Sequence, residues 1–527
     1  MENIDVFIVA MFVAVVGLNA VANWLTVPYP IVLVLGGLVL AVLPGMPTIE
    51  LEPDLVLVIF LPPLLYSAAF FSDLRALRDD LRAISTTAIG LVLLTMVAVA
   101  VLGHEVIGLS WAMAFALGAI VSPTDPVAAT AIMRRVGAPR RIVNIVEGES
   151  LVNDAAALVA YRTAVAAAVG GSFSLVDASM EFLGAAVGGV AIGLAVGFVI
   201  TEIRRRLDDI PTEITISLFT GYAAFLPADE LGLSGVLAAV TAGIYLGFMA
   251  PQIASPQMRL QGLAVWEILT FLLNATLFIL IGLQLPVVVE GIKDLSATEV
   301  AWYCALVCAV VIGARFLWGF TVPYVIRALD RRPAQRERRV GAAPRIVVAW
   351  SGMRGAVSLA AALALPLQTD AGAPLPDRDL IQFIAFAVIL VTVVGQGLTL
   401  PALIRRLGVQ QDASEEEAEE VRARLAVADA AIRRLDELAQ DGGVNPDTVE
   451  RVRGLFEFRL RRFGTRAGKR DDDGIEDRSL AYQRLMHELY TAQRQTLLEL
   501  DRSGEISTEV MRRIQRELDL EESRLEV

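Results

Sequence analysis

Met113-Ala-Phe-Ala-Leu-Gly-Ala-Ile-Val-Ser-Pro-Thr-Asp-Pro-Val-Ala-Ala-Thr-Ala-Ile132 sets an aspartate between two prolines inside an apolar run long enough to cross a bilayer. Pro123 and Pro126 each remove a backbone donor, and each disfavours helical geometry in the residue before it, Ser122 and Asp125. A helix is predicted to break there. Unwound backbone at bilayer depth is tolerated only inside protein or beside a water-filled cavity, where its free carbonyls suit a hard cation. The competing reading is a kinked helix whose Asp125 only bonds neighbouring amides.

The surroundings of this stretch are those of a polytopic membrane protein. The chain has 527 residues, 55% of them hydrophobic, and a mean hydropathy of +0.59. The apolar residues concentrate before residue 407. Segments of about 20 apolar residues fall roughly thirteen times, the stretch above being the fifth; the eighth and ninth are the shortest. The N-terminus carries Glu2 and Asp5 and no basic region, so the first segment reads as a retained span. Arginine placement sets the orientation. Arg75, Arg78, Arg82, Arg134, Arg135, Arg140, Arg141, Arg204 to Arg206, Arg259 and the cluster from Arg327 to Arg345 all follow odd-numbered spans. That puts the N-terminus outside and the C-terminus in the cytoplasm. The net charge of −13 therefore conceals a basic inner rim and implies no nucleic-acid partner. Cys304 and Cys308, four apart in an apolar helix, read as buried thiols.

Charges at bilayer depth cost at least a few kcal/mol and mark a pathway by default. The sixth span holds Glu147-Gly-Glu-Ser-Leu-Val-Asn-Asp154. At 100° per residue, Ser150 and Asp154 share a face with Glu147 a turn below, while Glu149 and Asn153 share another. The first face reads as an ion site and the second as structural. In the twelfth span, Val348-Ala-Trp-Ser-Gly-Met-Arg-Gly-Ala356 places glycines on both sides of Arg354 and invites a second break. Spans five and twelve are seven apart and so run in opposite directions, the pattern of a secondary transporter with interrupted helices in two inverted halves. Arg354 is expected to pair with Glu149 and to offset the dipoles of the crossed half-helices. Arg315, in the eleventh span, reads either as a structural partner or as a funnel lining. Arg162 reads as structural or snorkelling outward, and Glu267 as interfacial.

These three stretches, in this order, resemble the bacterial sodium/proton antiporters of the monovalent cation:proton antiporter family, relatives of the animal sodium/proton exchangers. The resemblance covers about residues 1 to 407. It implies an all-α membrane fold of thirteen helices in two inverted repeats with crossed discontinuous helices, a homodimer and elevator-like alternating access. It also implies that the carboxylate at Asp154 exchanges cation for proton, that Thr124, Asp125 and Ser150 help ligate the ion, and that Glu149 and Arg354 form a structural pair. Two positions depart from relatives. Some prokaryotic members carry an acid in the third span where Leu61-Pro-Pro-Leu-Leu-Tyr-Ser-Ala-Ala69 offers Ser67, and Asn274 stands where animal exchangers tend to have an acid. The choice among Na⁺, Li⁺ and K⁺ stays open on that account.

A partly desolvated aspartate with neighbouring donors lets proton and cation compete for one site, and oxygen ligands suit a hard cation. The expected substrates are Na⁺ (or Li⁺ or K⁺) and H⁺, with no cofactor and no enzymatic activity. His104 and His487 are the two histidines, so no metalloenzyme cluster is expected. A cation channel would need a filter-like loop, and a receptor signalling through its tail would need a kinase or nucleotide motif; neither pattern occurs. Because Asn153 rather than a second acid precedes Asp154, and the two lysines, Lys293 and Lys469, lie outside the spans, the exchange is expected to be electroneutral. After Pro401 the composition turns polar. Residues 408–527 read as a cytoplasmic domain of about four helices, with Ser414 and Glu417 at capping-box spacing, Asn445-Pro446 at a helix start and a loop around Lys469 to Gly474. This domain is either a solvated tail that aids folding or dimerisation, or a regulatory unit.

Overall fold

The structure is a computed structural model, described over residues 4–43, 53–170, 175–207, 209–293, 296–329, 340–410, 413–440, 444–466, 474–523 and 525. The chain divides into two compact units, residues 1–411 and 412–527. Among the described residues of the first unit, seven helices are long and apolar enough to cross a membrane, and Val9–Leu25, Tyr29–Val42 and Val58–Phe70 are shorter apolar ones. Three further passages fall outside that selection because they carry polar groups or are broken: Arg140–Gly170, Ile210–Glu230, and Ala342–Trp350 with Ala356–Leu363. In chain order these make thirteen spans, and the eighth (Ile210–Glu230) and ninth (Gly235–Ile253) are both helical.

Close backbone approach holds the tenth span, which lines the cavity described below, against the second. Gly37 of the second span lies against the Ile279 carbonyl of the tenth (Pro256–Leu283), and Gly282 lies against Val34 and Leu38; a Cβ at either would collide with backbone. Small residues are the means by which membrane helices approach this closely. Around that contact Ile31, Leu33, Leu277, Phe278, Ile279 and Ile281 form one apolar core. Arg204, grouped above with the loop arginines, is instead buried at the end of the seventh span and faces Glu213 of the eighth at 3.4 Å. Cys308 is buried and Cys304 half-buried, both as free thiols.

Among its described residues the second unit has four helices, Ala413–Gln440, Pro446–Arg466, Ile475–Ser503 and Thr508–Ser523. Asn445 accepts a hydrogen bond from the Asp447 amide at 2.9 Å, as its place before Pro446 predicts. Ser414 is already inside its helix, so its spacing to Glu417 is not a cap. Residues 469–473 of the expected loop lie outside the described residues, and Gly474 takes the left-handed φ of +74° before Ile475.

Candidate functional site

The fifth span is a helix from Trp111 to Val121 and another from Pro126 to Val136, with non-helical backbone between them. Asp125 is the N-cap of the second half, accepting from the Val127 amide at 2.8 Å, and Pro126 occupies the first helical turn, where a missing N–H costs nothing. The twelfth span breaks in the same way between Trp350 and Ala356. The two breaks cross. The Asp125 amide donates to the Met353 carbonyl at 2.8 Å. The Arg354 Nε donates to the Val121 carbonyl at 3.0 Å, which places a positive charge at the C-terminal end of the first half-helix. Thr392, in a π-helical turn of the thirteenth span, accepts from the Arg354 amide at 3.0 Å.

One expectation is overturned here. Glu149 does not pair with Arg354. It receives both terminal nitrogens of Arg315, at 2.5 and 3.1 Å, in a pair that is 3% and 2% exposed. Arg315 is fixed from behind by the Val348 carbonyl at 3.1 Å. Arg354 is spent on backbone carbonyls, those of Val121 and Gly352. Arg354 gives its hydrogen bonds to the crossing, and the eleventh span supplies the guanidinium that bonds Glu149.

On the sixth span the residues distribute over two sides. Glu149 accepts from the Thr124 hydroxyl at 3.2 Å, and the Asn153 amide donates to that hydroxyl at 2.9 Å. Glu147, Ser150 and Asp154 instead line a cavity of about 530 Å³, together with Asp125, Ser67, Glu267 and Asn274. The Ser150 hydroxyl donates to the Thr124 carbonyl at 2.8 Å. Thr124 thus turns its hydroxyl toward Glu149 and Asn153 and does not line the cavity, while its carbonyl accepts from Ser150. Among the described residues Asp154, 6% exposed, has no hydrogen-bond or ion-pair partner. The Asp125 carboxylate packs on Gly355, where any Cβ would collide with it. At the arginine-bearing end Glu147 pairs with Arg134 at 2.6 Å. No group of three or more His, Cys, Asp or Glu occurs among the described residues that could hold a metal in the manner of a metalloenzyme.

Comparison with known proteins identifies the family. The family model described as sodium/hydrogen exchanger, transmembrane, matches residues 8–406. The chain belongs to the sodium/hydrogen exchanger family. The exchanger is 36% identical over 527 residues to an uncharacterized Na⁺/H⁺ exchanger of Mycobacterium tuberculosis (strain H37Rv), covering 99% of this chain and 96% of the relative. It is 34% identical over 414 residues to the sodium, potassium, lithium and rubidium/H⁺ antiporter of Bacillus subtilis, covering 76% of this chain and 61% of that one. The Na⁺/H⁺ antiporter ApNhaP of Aphanothece halophytica is 29% identical, with 96% and 95% covered. In fold, the exchanger is similar to the sodium proton antiporter MjNhaP1 of Methanocaldococcus jannaschii at pH 8, with a TM-score of 0.58 and 18% identity over 76% of this chain and 98% of that one.

Several residues of the exchanger's cavity carry no signal in the sequence pattern. Thr130, Thr270 and Ser358 line it, yet isolated hydroxyls in apolar helices are common. Glu267 is exposed, as an interfacial residue would be, but it too opens onto the cavity. Arg162 pairs with Asp229 of the eighth span. Ser67 donates to the Leu64 carbonyl at 3.0 Å and lines the cavity.

Proposed function

We propose that this exchanger moves one monovalent cation, Na⁺ in the first instance, against H⁺ across the bacterial inner membrane, with Asp154 as the exchanging carboxylate. The observation that carries the proposal is that two buried carboxylates from different spans, Asp125 and Asp154, line one cavity while the buried arginines nearby are engaged elsewhere. The cation sits between the fifth and sixth spans, held by Asp154, Asp125, the Ser150 hydroxyl and the Thr124 carbonyl. Ser67 is a further oxygen within the same cavity. Glu149 with Arg315, Asn153 through Thr124, and Arg354 through Val121 hold the ligands in place. The exchanger is then a transporter without cofactor or enzymatic activity.

Oxygen donors of this kind suit a hard cation that sheds its water, and binding a proton or a cation at a single carboxylate carries one charge either way. Exchange is therefore electroneutral. Residues 1–407 carry transport and 408–527 form a cytoplasmic helical domain. The arginine-bearing ends of the spans face the cytoplasm, the N-terminus lies outside, and the protein works as a homodimer. A second reading, in which K⁺ is also a substrate, is favoured by the name of the Bacillus subtilis relative, which includes potassium.

The test is purified protein in vesicles carrying a pH-sensitive dye. Na⁺, Li⁺ or K⁺ added in turn should collapse an imposed pH gradient, and Asp154→Asn should abolish the response while leaving the elution profile unchanged. The voltage is then clamped with a permeant ion that is not a substrate. Transport that speeds up or reverses with voltage would remove the one-carboxylate mechanism.

A further inference from the structure

A second cavity, of about 490 Å³, opens between the fourth (Leu81–Ile107), sixth, eleventh (Ala297–Leu329) and twelfth spans. We propose that it binds an anionic phospholipid, with the phosphate held by Arg327 and Arg345 and an acyl chain lying along Trp318 and Val322. Its size is that of a pocket for a small organic ligand, and Leu91, Ile142, Trp318, Val322 and Ile326 make much of its wall apolar. Five arginines and three acids also line it. Two of those acids are taken: Asp80 by Arg141 at 2.7 Å and Glu149 by Arg315. Asp79 remains, against the other arginines.

Arg327 and Arg345 have no carboxylate partner among the described residues. Both guanidiniums lie over the ring of Tyr324, at 5.2 and 5.3 Å from its centroid, and Arg345 gives one nitrogen to the Val340 carbonyl at 2.6 Å. Stacking occupies the faces of the guanidiniums and leaves donor edges for an anion, and phosphate matches that fork. A free phosphate would leave the apolar wall beneath it wetted, whereas a phospholipid covers both parts. Basic pockets between helices at the arginine-rich end of a membrane protein bind lipid headgroups on the same physical grounds.

The floor of this cavity is the back of the ion site. Arg315 lines the cavity and bonds Glu149, which in turn holds the hydroxyl of Thr124. An occupant is thereby one ion pair away from the proposed cation ligands, so lipid composition should set the rate of exchange.

The probe is a brominated-chain phosphatidylglycerol added to the purified full-length protein in detergent, with tryptophan fluorescence as the readout. Bromine should quench a component of the wild-type emission that is missing in Trp318→Phe, and brominated phosphatidylcholine should not. Arg327→Gln with Arg345→Gln should raise the lipid concentration for half quenching by about tenfold or more, as expected for lost charge-assisted contacts. Should Trp318→Phe fail to fold, phosphatidylglycerol retained through gel filtration and counted by native mass spectrometry gives the same comparison. Equal quenching by both lipids, no change in the double variant, or displacement by soluble glycerol phosphate at matched concentration would each overturn the proposal. The readout is binding, so the result stands apart from whether exchange itself is observed.

Discussion

The Glu149–Arg315 pair offers the sharpest test of how the interior is wired. Both side chains are almost fully buried, and two charge-assisted hydrogen bonds join them. Replacing Arg315 by methionine leaves a buried carboxylate whose remaining partner is the Thr124 hydroxyl, at a cost of about 3–5 kcal/mol. Glu149→Gln alone strands the guanidinium at similar cost. The double variant removes both charges and should lose much less than the two single costs combined, giving a coupling toward the upper end of the roughly 0.5–3 kcal/mol seen between contacting residues. The same cycle between Glu149 and Arg354 should be closer to additive, because Arg354 spends its donors on the Val121 and Gly352 carbonyls. The measurement is denaturant unfolding in mixed micelles, with all single and double variants run side by side. A coupling within about 0.5 kcal/mol of zero for Glu149 and Arg315, or a larger one for Glu149 and Arg354, would refute the assignment.

Gly355→Ala should fold, since its backbone is not left-handed, but should push the Asp125 carboxylate aside; the cation concentration for half-maximal exchange is expected to rise at least about tenfold, worth roughly 1.4 kcal/mol. Deleting residues 412–527 should leave the first unit folded, as judged by an unchanged elution profile and cooperative melting, because each unit has its own internal packing. In the tail, Arg494 and then His487 hold the Glu522 carboxyl below its usual range. The stabilisation this gives is present above the ordinary carboxylate range and is lost as pH falls through the lowered folded value. Amide protection over residues 475–523 of the full-length protein, taken as the exchange rate relative to that of an unstructured peptide at the same pH, should therefore fall on acidification, and Glu522→Gln should flatten that dependence; an unaltered profile in the variant would contradict it.

The parts of this molecule that could be read from sequence are those set by local chemistry. Two prolines around Asp125 and two glycines around Arg354 each specify a break within a few residues, whatever surrounds them. The two sides of the sixth span follow from helical geometry, which puts Ser150 with Asp154 and Glu149 with Asn153. The partner of Glu149 was not readable in this way. Arg315 and Arg354 are both buried cations on neighbouring spans, and only packing decides which one is already spent on carbonyls. Thr124 is similar: its hydroxyl points to one side of the unwound segment or the other according to dihedrals that the break leaves free. The burial of Arg204 is not legible either, because an arginine at a helix end looks the same in sequence whether it snorkels or is buried against Glu213.

The crossing of the two broken spans also bears on biosynthesis. The Val121 carbonyl is bonded by Arg354, 233 residues further along the chain. At about 5–20 residues per second of synthesis, that is a delay on the order of 10–50 s. Through that interval the broken fifth span sits in or near the membrane with its exposed peptide groups unmatched, at several kcal/mol for each group in hydrocarbon. The nascent chain must therefore keep this segment in the insertion machinery, or in water, until the twelfth span arrives. Any truncation before Met353 should be recognised by the cell as an unfinished protein and degraded.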